Sequence, residues 1–175
     1  MTLKRLDRRD RELVEKAQEG AARAYAPYSL FAVGAAVRSK SGAIYTAANL
    51  ENASSGLTIC AEAAALSLAN SMGDPDIDAI AIVGFNFTRL AGASQVVAPC
   101  GSCRQLIAEA AQRANSNVRV ICCNGELSSI VISTIAELLP NAFGPDTLGA
   151  SRQWPTLRQE LHAAVERLIA TRERQ

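Results

Sequence analysis

The stretch Ile77 to Phe85, IDAIAIVGF, has one charged residue, Asp78, and is otherwise apolar. A half-buried strand alternates apolar and polar side chains, and this one does not. It reads as a strand buried on both faces, which needs cover in front and behind. Everything around it must supply that cover.

The flanking segments have the right periods to do so. Residues 8–25 read as a helix with Leu13, Ala17, Ala21 and Ala22 on one side and charges on the other, ended by Pro27. A hairpin follows, with strands Val33 to Arg38 and Ala43 to Asn49 around a Lys40-Ser41-Gly42 turn. ASSG is a loop. Cys60 to Ser71 is a helix stopped near Gly73-Asp74-Pro75, and a longer loop runs from the apolar strand to Ala98. Gly101 to Ala114 is a helix, NVRVICC a strand, and Ser128 to Ser133 a weaker strand. Thr134 and Glu137 are spaced as a capping box before a last short helix ending at Pro140.

The order after residue 33 predicts an α/β fold: a three-layer sandwich around a mixed five-stranded sheet, with extra N- and C-terminal helices. The domain spans 1–150. Residues 151–175 form an amphipathic helical extension with Pro155 in its first turn. Leu157, Leu161, Val165, Leu168 and Ile169 make a stripe fit to pack on the domain or on a neighbouring subunit.

Charge narrows the partners. Eighteen basic and 17 acidic side chains leave a net charge of +1, too little for the basic field that nucleic acid requires. The substrate expected is a small, nearly neutral molecule. No apolar run approaches a membrane span. The start, MTLKRLDRRDRELVEK, is charged from Lys4 onward and resembles no secretory leader, which points to the cytoplasm. Five cysteines, an odd number, then argue for thiols or a metal rather than a disulfide framework.

The chemistry gathers at two helix starts. TICAEAAAL places Cys60 and Glu62 at the head of an otherwise apolar helix, and APCGSCRQL places Cys100 and Cys103 at the head of another. A helix N-terminus favours thiolates. Three thiolates bind zinc and leave a fourth position open, the arrangement of a catalytic site. Glu62 beside it suits proton transfer. Cys100 and Cys103 alone also fit a dithiol redox pair, which leaves Cys60 and Glu62 without a role. A closed four-cysteine structural site would need Cys122 or Cys123, which end an apolar strand and read as buried thiols.

A ligand, one spacer and Glu, followed downstream by Pro-Cys-x-x-Cys, is the signature of zinc deaminases. Here it reads Cys60-Ala61-Glu62 and Pro99-Cys100-Gly101-Ser102-Cys103. With AYAPYSLFAVGAAV (Ala24 to Val37), NLENAS (Asn49 to Ser54) and ELLPNAFGPDTL (Glu137 to Leu148), the chain resembles the small homotetrameric cytidine deaminases. The resemblance implies one zinc ion per subunit on Cys60, Cys100 and Cys103. It implies Glu62 as proton shuttle while water replaces the amino group at C4 of cytosine. It implies Asn49 and Glu51 on the ribose 3′-hydroxyl, Phe31 against the pyrimidine, and the backbone of Ala61 facing the base. Ala53 and Phe143 would reach a neighbouring subunit's pocket, so active sites would be shared in a homotetramer serving pyrimidine salvage.

Two positions depart from the family. Ala63 stands where Arg usually follows the catalytic Glu, and Ser55 where Tyr is frequent. A cation near three thiolates offsets their negative charge. Ala63 leaves three readings open: another cation such as Arg104 compensates, the enzyme is slower, or a roomier pocket takes a modified cytosine nucleoside. Deaminases of aminoacyl-nucleoside antibiotics also have an apolar residue at this place. A non-catalytic zinc-stabilised scaffold is the alternative of another class.

Overall fold

The computed structural model describes residues 1–89 and 95–174; part of the loop expected before Ala98 lies outside them. In chain order the elements are α1 (Arg8–Ala21), β1 (Phe31–Ser39), β2 (Ile44–Ala48), α2 (Ala61–Ser71), β3 (Ile77–Asn86), α3 (Gly101–Arg113), β4 (Arg119–Asn124), β5 (Ile130–Thr134), α4 (Ile135–Leu138) and α5 (Ala150–Arg172). The chain divides into two compact units, Met1–Ala142 and Phe143–Gln175. The second unit begins ahead of the boundary expected after residue 150.

The five strands form one sheet in the order β2-β1-β3-β4-β5, with β3 at its centre. Only β3 and β4 run parallel; the other neighbours are antiparallel. The sheet is therefore mixed, as expected. Ile80 and Ile82 of β3 join Ala61, Ala65, Ile107 and Ile135 in one core layer, which belongs to α2, α3 and α4. Ala79, Ala81 and Val83 join Leu13, Val14 and Ala17 in the other, which belongs to α1. The strand is covered on both faces, and the three layers follow.

The α1 layer is set by small residues. A Cβ on Gly34 would press into the carbonyl of Ala17 and lie 2.5 Å from the amide of Ala21. A Cβ on Gly20 would meet Thr46 at 2.5 Å. Helix and sheet thus approach to backbone contact. The helix ends at Ala21, short of the Pro27 stop. Tyr25 is drawn into a parallel bridge with Leu50, its amide donating to the Asn49 carbonyl at 3.0 Å. Ala22 accordingly lies exposed rather than on the buried stripe, and Val14 takes a place there.

Charges were expected only on the outer side of α1, yet Asp10 is 2% exposed. Its Oδ1 accepts from Arg38 of β1 at 3.2 Å and its Oδ2 from Arg119 of β4 at 2.8 Å. Arg38 also reaches Asp78 at 2.9 Å. Burial of such a group is tolerable only when paired, and here both partners come from other elements.

The Thr134–Glu137 capping box forms, with the Thr134 amide donating to Glu137 Oε2 at 2.7 Å. In the second unit α5 begins at Ala150, so Pro155 sits inside the helix and not in its first turn. A proline there has no N–H for the carbonyl four residues back. The helix buries none of its residues; Leu157, Leu161, Val165, Leu168 and Ile169 are exposed. Among the described residues no helix is long and apolar enough to cross a membrane.

Gly34→Ala should lower the unfolding free energy by roughly 1–3 kcal/mol, because overpacking at backbone contact cannot relax by rotamer change. Urea denaturation checks it: the midpoint falls while the slope stays unchanged.

Candidate active site

Chain connectivity decides where the reactive groups meet. α3 leaves the carboxyl end of β3 and returns to start β4, while α2 ends next to the start of β3. α2 and α3 therefore both begin at the carboxyl end of the parallel β3–β4 pair, where ligand crevices form in open α/β sheets.

Cys60 is the N-cap of α2 and Cys100 the N-cap of α3, both with extended backbone (ψ 149° and 171°). The Cys60 side chain makes no capping bond to its helix, whereas the Cys100 thiol faces the Cys103 amide of its own first turn. Cys103 lies one turn into α3 and is 1% exposed. Cys60 Sγ and Cys100 Sγ are 4.0 Å apart, and all three sulfurs lie within 4.8 Å of one another. A tetrahedral zinc with Zn–S of about 2.3 Å needs sulfur–sulfur edges of about 3.8 Å. The donor set fits that ion and leaves one corner free. The third sulfur also removes the isolated dithiol reading.

Cys122 and Cys123 stand outside the cluster. They lie on opposite faces of β4, Cys122 in the α2–α3 layer and Cys123 in the α1 layer. Burial, then the charge of Glu62, pushes the Cys122 thiol up to about 11. Burial, then Cys122, pushes Cys123 up to about 12. Among the described residues the cluster contains Cys60, Cys100 and Cys103 alone, and Cys122 and Cys123 are buried thiols, as expected. Strand alternation points successive side chains apart.

Glu62, two residues into α2, is 5% exposed. Burial pushes its carboxyl above the usual range, partly offset by its own amide and the Cys103 thiol. Burial, followed by the Glu62 charge, also raises Cys60 and Cys103. Against the cost of burial, the Cys103 amide brings Cys100 below the ordinary thiol value. A divalent cation among the sulfurs reverses the upward shifts, because a coordinating thiol is deprotonated outright. Ala61, between Cys60 and Glu62, is fully buried.

Arg104, the candidate for the missing cation, uses its guanidinium on carbonyls. Nε donates to Pro99 at 3.0 Å and Nη1 to Leu138 at 3.3 Å. It thereby ties the turn carrying Cys100 to the end of α4. Val97 pins the same loop across the sheet, its amide donating to the Cys123 carbonyl at 3.2 Å. Ala63 lines a groove of about 330 Å³ between α2 and α3 with Leu66, Leu106 and Arg113. Arg113 itself donates to Asn70 and to the Pro75 carbonyl.

The other expected contacts surround β1. Leu50 and Ile59 exchange two backbone bonds of 2.9 Å, which sets Asn49 and Glu51 beside the Cys60 turn. Asn49 Oδ1 accepts from the Val33 amide at 2.9 Å, and its Nδ2 donates to the Phe31 carbonyl at 3.0 Å. Glu51 Oε2 accepts from the amides of Tyr28 and Ser29 at 2.9 and 3.3 Å. Phe31 is half-buried; a Cβ on Gly84 would lie 2.9 Å from its Cε1 and from Val97 Cγ2. Leu30 before it has φ 56°, a left-handed conformation costing a branched residue about 1–2 kcal/mol. Ala53 is exposed in the loop before α2, and Phe143 belongs to the second unit, 60% exposed.

Sequence reasoning missed Val97 and Gly84. Gly84 is the one glycine in the central strand, and a glycine there signals close approach of another group. Nothing local marked Val97.

Comparison with known proteins agrees with this geometry. The family described as "Cytidine and deoxycytidylate deaminase zinc-binding region" matches residues 7–123. A cytidine deaminase of Halalkalibacterium halodurans is 44% identical over 131 residues, covering 75% of this chain and 91% of that protein. A blasticidin-S deaminase of Bacillus cereus is 38% identical over 136 residues, covering 77% and 92%. The crystal structure of cytidine deaminase from Burkholderia pseudomallei superposes with a TM-score of 0.65 at 36% identity, covering 75% of this chain and 97% of that one.

Removing one sulfur should remove the metal. Cys100→Ala is expected to fall well below one zinc per chain and to lose stability, while Cys122→Ala retains its zinc. Metal content by mass spectrometry on the purified variants decides it.

Proposed function

The chain belongs to the cytidine and deoxycytidylate deaminase family, and from that premise we propose that it converts cytidine and deoxycytidine to their uracil counterparts and ammonia. It is a zinc-dependent hydrolytic deaminase. The observation that carries the reading is the buried carboxylate of Glu62 beside a three-sulfur cluster with a free corner. A purely structural zinc site has no use for a buried carboxylate, and burying one without a task is costly.

Cys60, Cys100 and Cys103 would hold the zinc ion. When bound it supplies an activated water at neutral pH. Glu62 is placed to take a proton from the attacking water and deliver it to N3 of the base as the oxygen adds at C4. It then carries the remaining proton of the added hydroxyl to the C4 amino group, the C4=O bond forms, and the C–N bond breaks to release ammonia. A carboxyl held above its usual range by burial suits a group that must both accept and donate. Asn49 and Glu51 hold the ribose 3′-hydroxyl, with acceptor and donor positions left over from their backbone bonds. Phe31 packs on the pyrimidine and the Ala61 backbone faces the base.

Residues 1–150 act as the catalytic domain, with 151–175 as an appended helix. Ala53 and Phe143, both exposed in the single chain, serve a neighbour's pocket in a homotetramer. Leu50, Leu57 and Ile59 support an assembly: they are exposed together on the loop that precedes Cys60. Light scattering on purified protein should give four times 18.5 kDa. The setting is cytoplasmic pyrimidine salvage. A near-neutral chain at net charge +1 matches a neutral nucleoside better than a phosphorylated one.

Ala63 favours one second reading. Its side chain carries no cation beside the sulfurs, and the antibiotic-type relative is of similar identity to several cytidine deaminases. A substrate panel separates the two. Loss of absorbance with cytidine and deoxycytidine supports salvage, whereas turnover of an aminoacyl cytosine nucleoside alone reverses the order.

Glu62→Gln should keep one zinc per chain and lose turnover by roughly 10²–10⁴-fold. Near-normal rates in the zinc-loaded Glu62→Gln variant would remove Glu62 from the reaction.

A further inference from the structure

The same two side chains that face the sugar in the proposed function also hold the turn that presents Phe31. Both polar groups of the Phe31 backbone are taken: its amide donates to Ser29 Oγ at 3.1 Å, and its carbonyl accepts from Asn49 Nδ2 at 3.0 Å. One residue earlier, Leu30 is kept left-handed between two backbone bonds, its amide to the Ala26 carbonyl and its carbonyl to the Phe87 amide, each 3.1 Å. A leucine adopts that conformation only when its surroundings impose it. Just ahead of it the turn is braced by Glu51, whose Oε2 gathers the amides of Tyr28 and Ser29. The Glu51 amide in turn donates to the Tyr25 carbonyl at 2.8 Å. The Ser29 hydroxyl, then those two amides, holds the Glu51 carboxyl below its usual range, so the brace is an anion at neutral pH.

We infer that Glu51 is a positioning residue for Phe31 as well as a sugar contact, so that sugar recognition and placement of the base are coupled through one carboxylate. The inference rests on the cytosine-nucleoside reading of the site. Its chemistry is simple: a carboxylate has about four acceptor positions, and two amides and a hydroxyl leave room for one more donor. Loss of the carboxylate frees the Tyr28–Leu30 turn to relax out of its strained conformation, and the Phe31 ring leaves its seat over Gly84 and Val97.

The test uses substrates with and without the 3′-hydroxyl. A residue that only grips the sugar matters for deoxycytidine and is irrelevant for 2′,3′-dideoxycytidine. The inference expects Glu51→Ala to lose roughly tenfold or more in kcat/KM on the dideoxy substrate too. Glu51→Gln, which keeps an oxygen for the two amides, should recover most of it. In a Phe31→Leu background the further loss on dideoxycytidine should largely vanish, because both changes act on one seat. Ser29→Ala, which touches no sugar, should slow both substrates by the same factor, and it keeps the test open if Glu51→Ala does not fold with its zinc. Unchanged dideoxycytidine kinetics in Glu51→Ala, or in Ser29→Ala where it must stand in, overturn the inference. Failure of the unaltered protein to turn over any cytosine nucleoside would instead overturn the proposed function beneath it.

Discussion

The convergence of three sulfurs within 4.8 Å is the constraint on which the rest of this molecule turns. Two of them are N-caps of different helices, so both helices must begin at one spot. That follows from a single parallel strand pair. α3 crosses from the end of β3 to the beginning of β4, and α2 leads into β3 from the same side of the sheet. An all-antiparallel sheet would not bring two helix starts together in this way. The N-terminal ends of both helices then favour negative sulfur, and Glu62 is buried in the first turn of one of them.

Precision at that spot is supplied from the loops. Arg104 and Val97 fix the approach to Cys100 by bonding carbonyls on three different segments. The Leu50–Ile59 pairing fixes the approach to Cys60. Asn49 and Glu51 use part of their capacity on the backbone of residues 28–33. Polar side chains that look free for a ligand are thus partly structural. Holding a reactive constellation rigid requires such secondary bonds, since small displacements of a positioned group cost rate steeply.

The opposite face of the sheet is built differently. α1 sits at backbone contact over Gly34, and its one buried charge, Asp10, meets two arginines from β1 and β4. Those contacts link α1, β1 and β4.

Much was legible in the order of residues. The apolar run at Ile77, the helical periods, the Thr134–Glu137 capping box and the two cysteine motifs are short-range patterns. They depend on the chain's own geometry over a few residues, so elements and candidate ligands could be read directly. What only the tertiary structure decided was non-local. The facing of Cys122 and Cys123 depends on register in the sheet. The burial of Asp10 depends on partners at Arg38 and Arg119, far along the chain. The early end of α1 depends on Tyr25 pairing with Leu50, and the Glu51 carboxylate bonds a turn 22 residues before it. Hydrogen-bonding groups satisfy themselves with whatever the fold brings near, and sequence spacing carries no record of that choice.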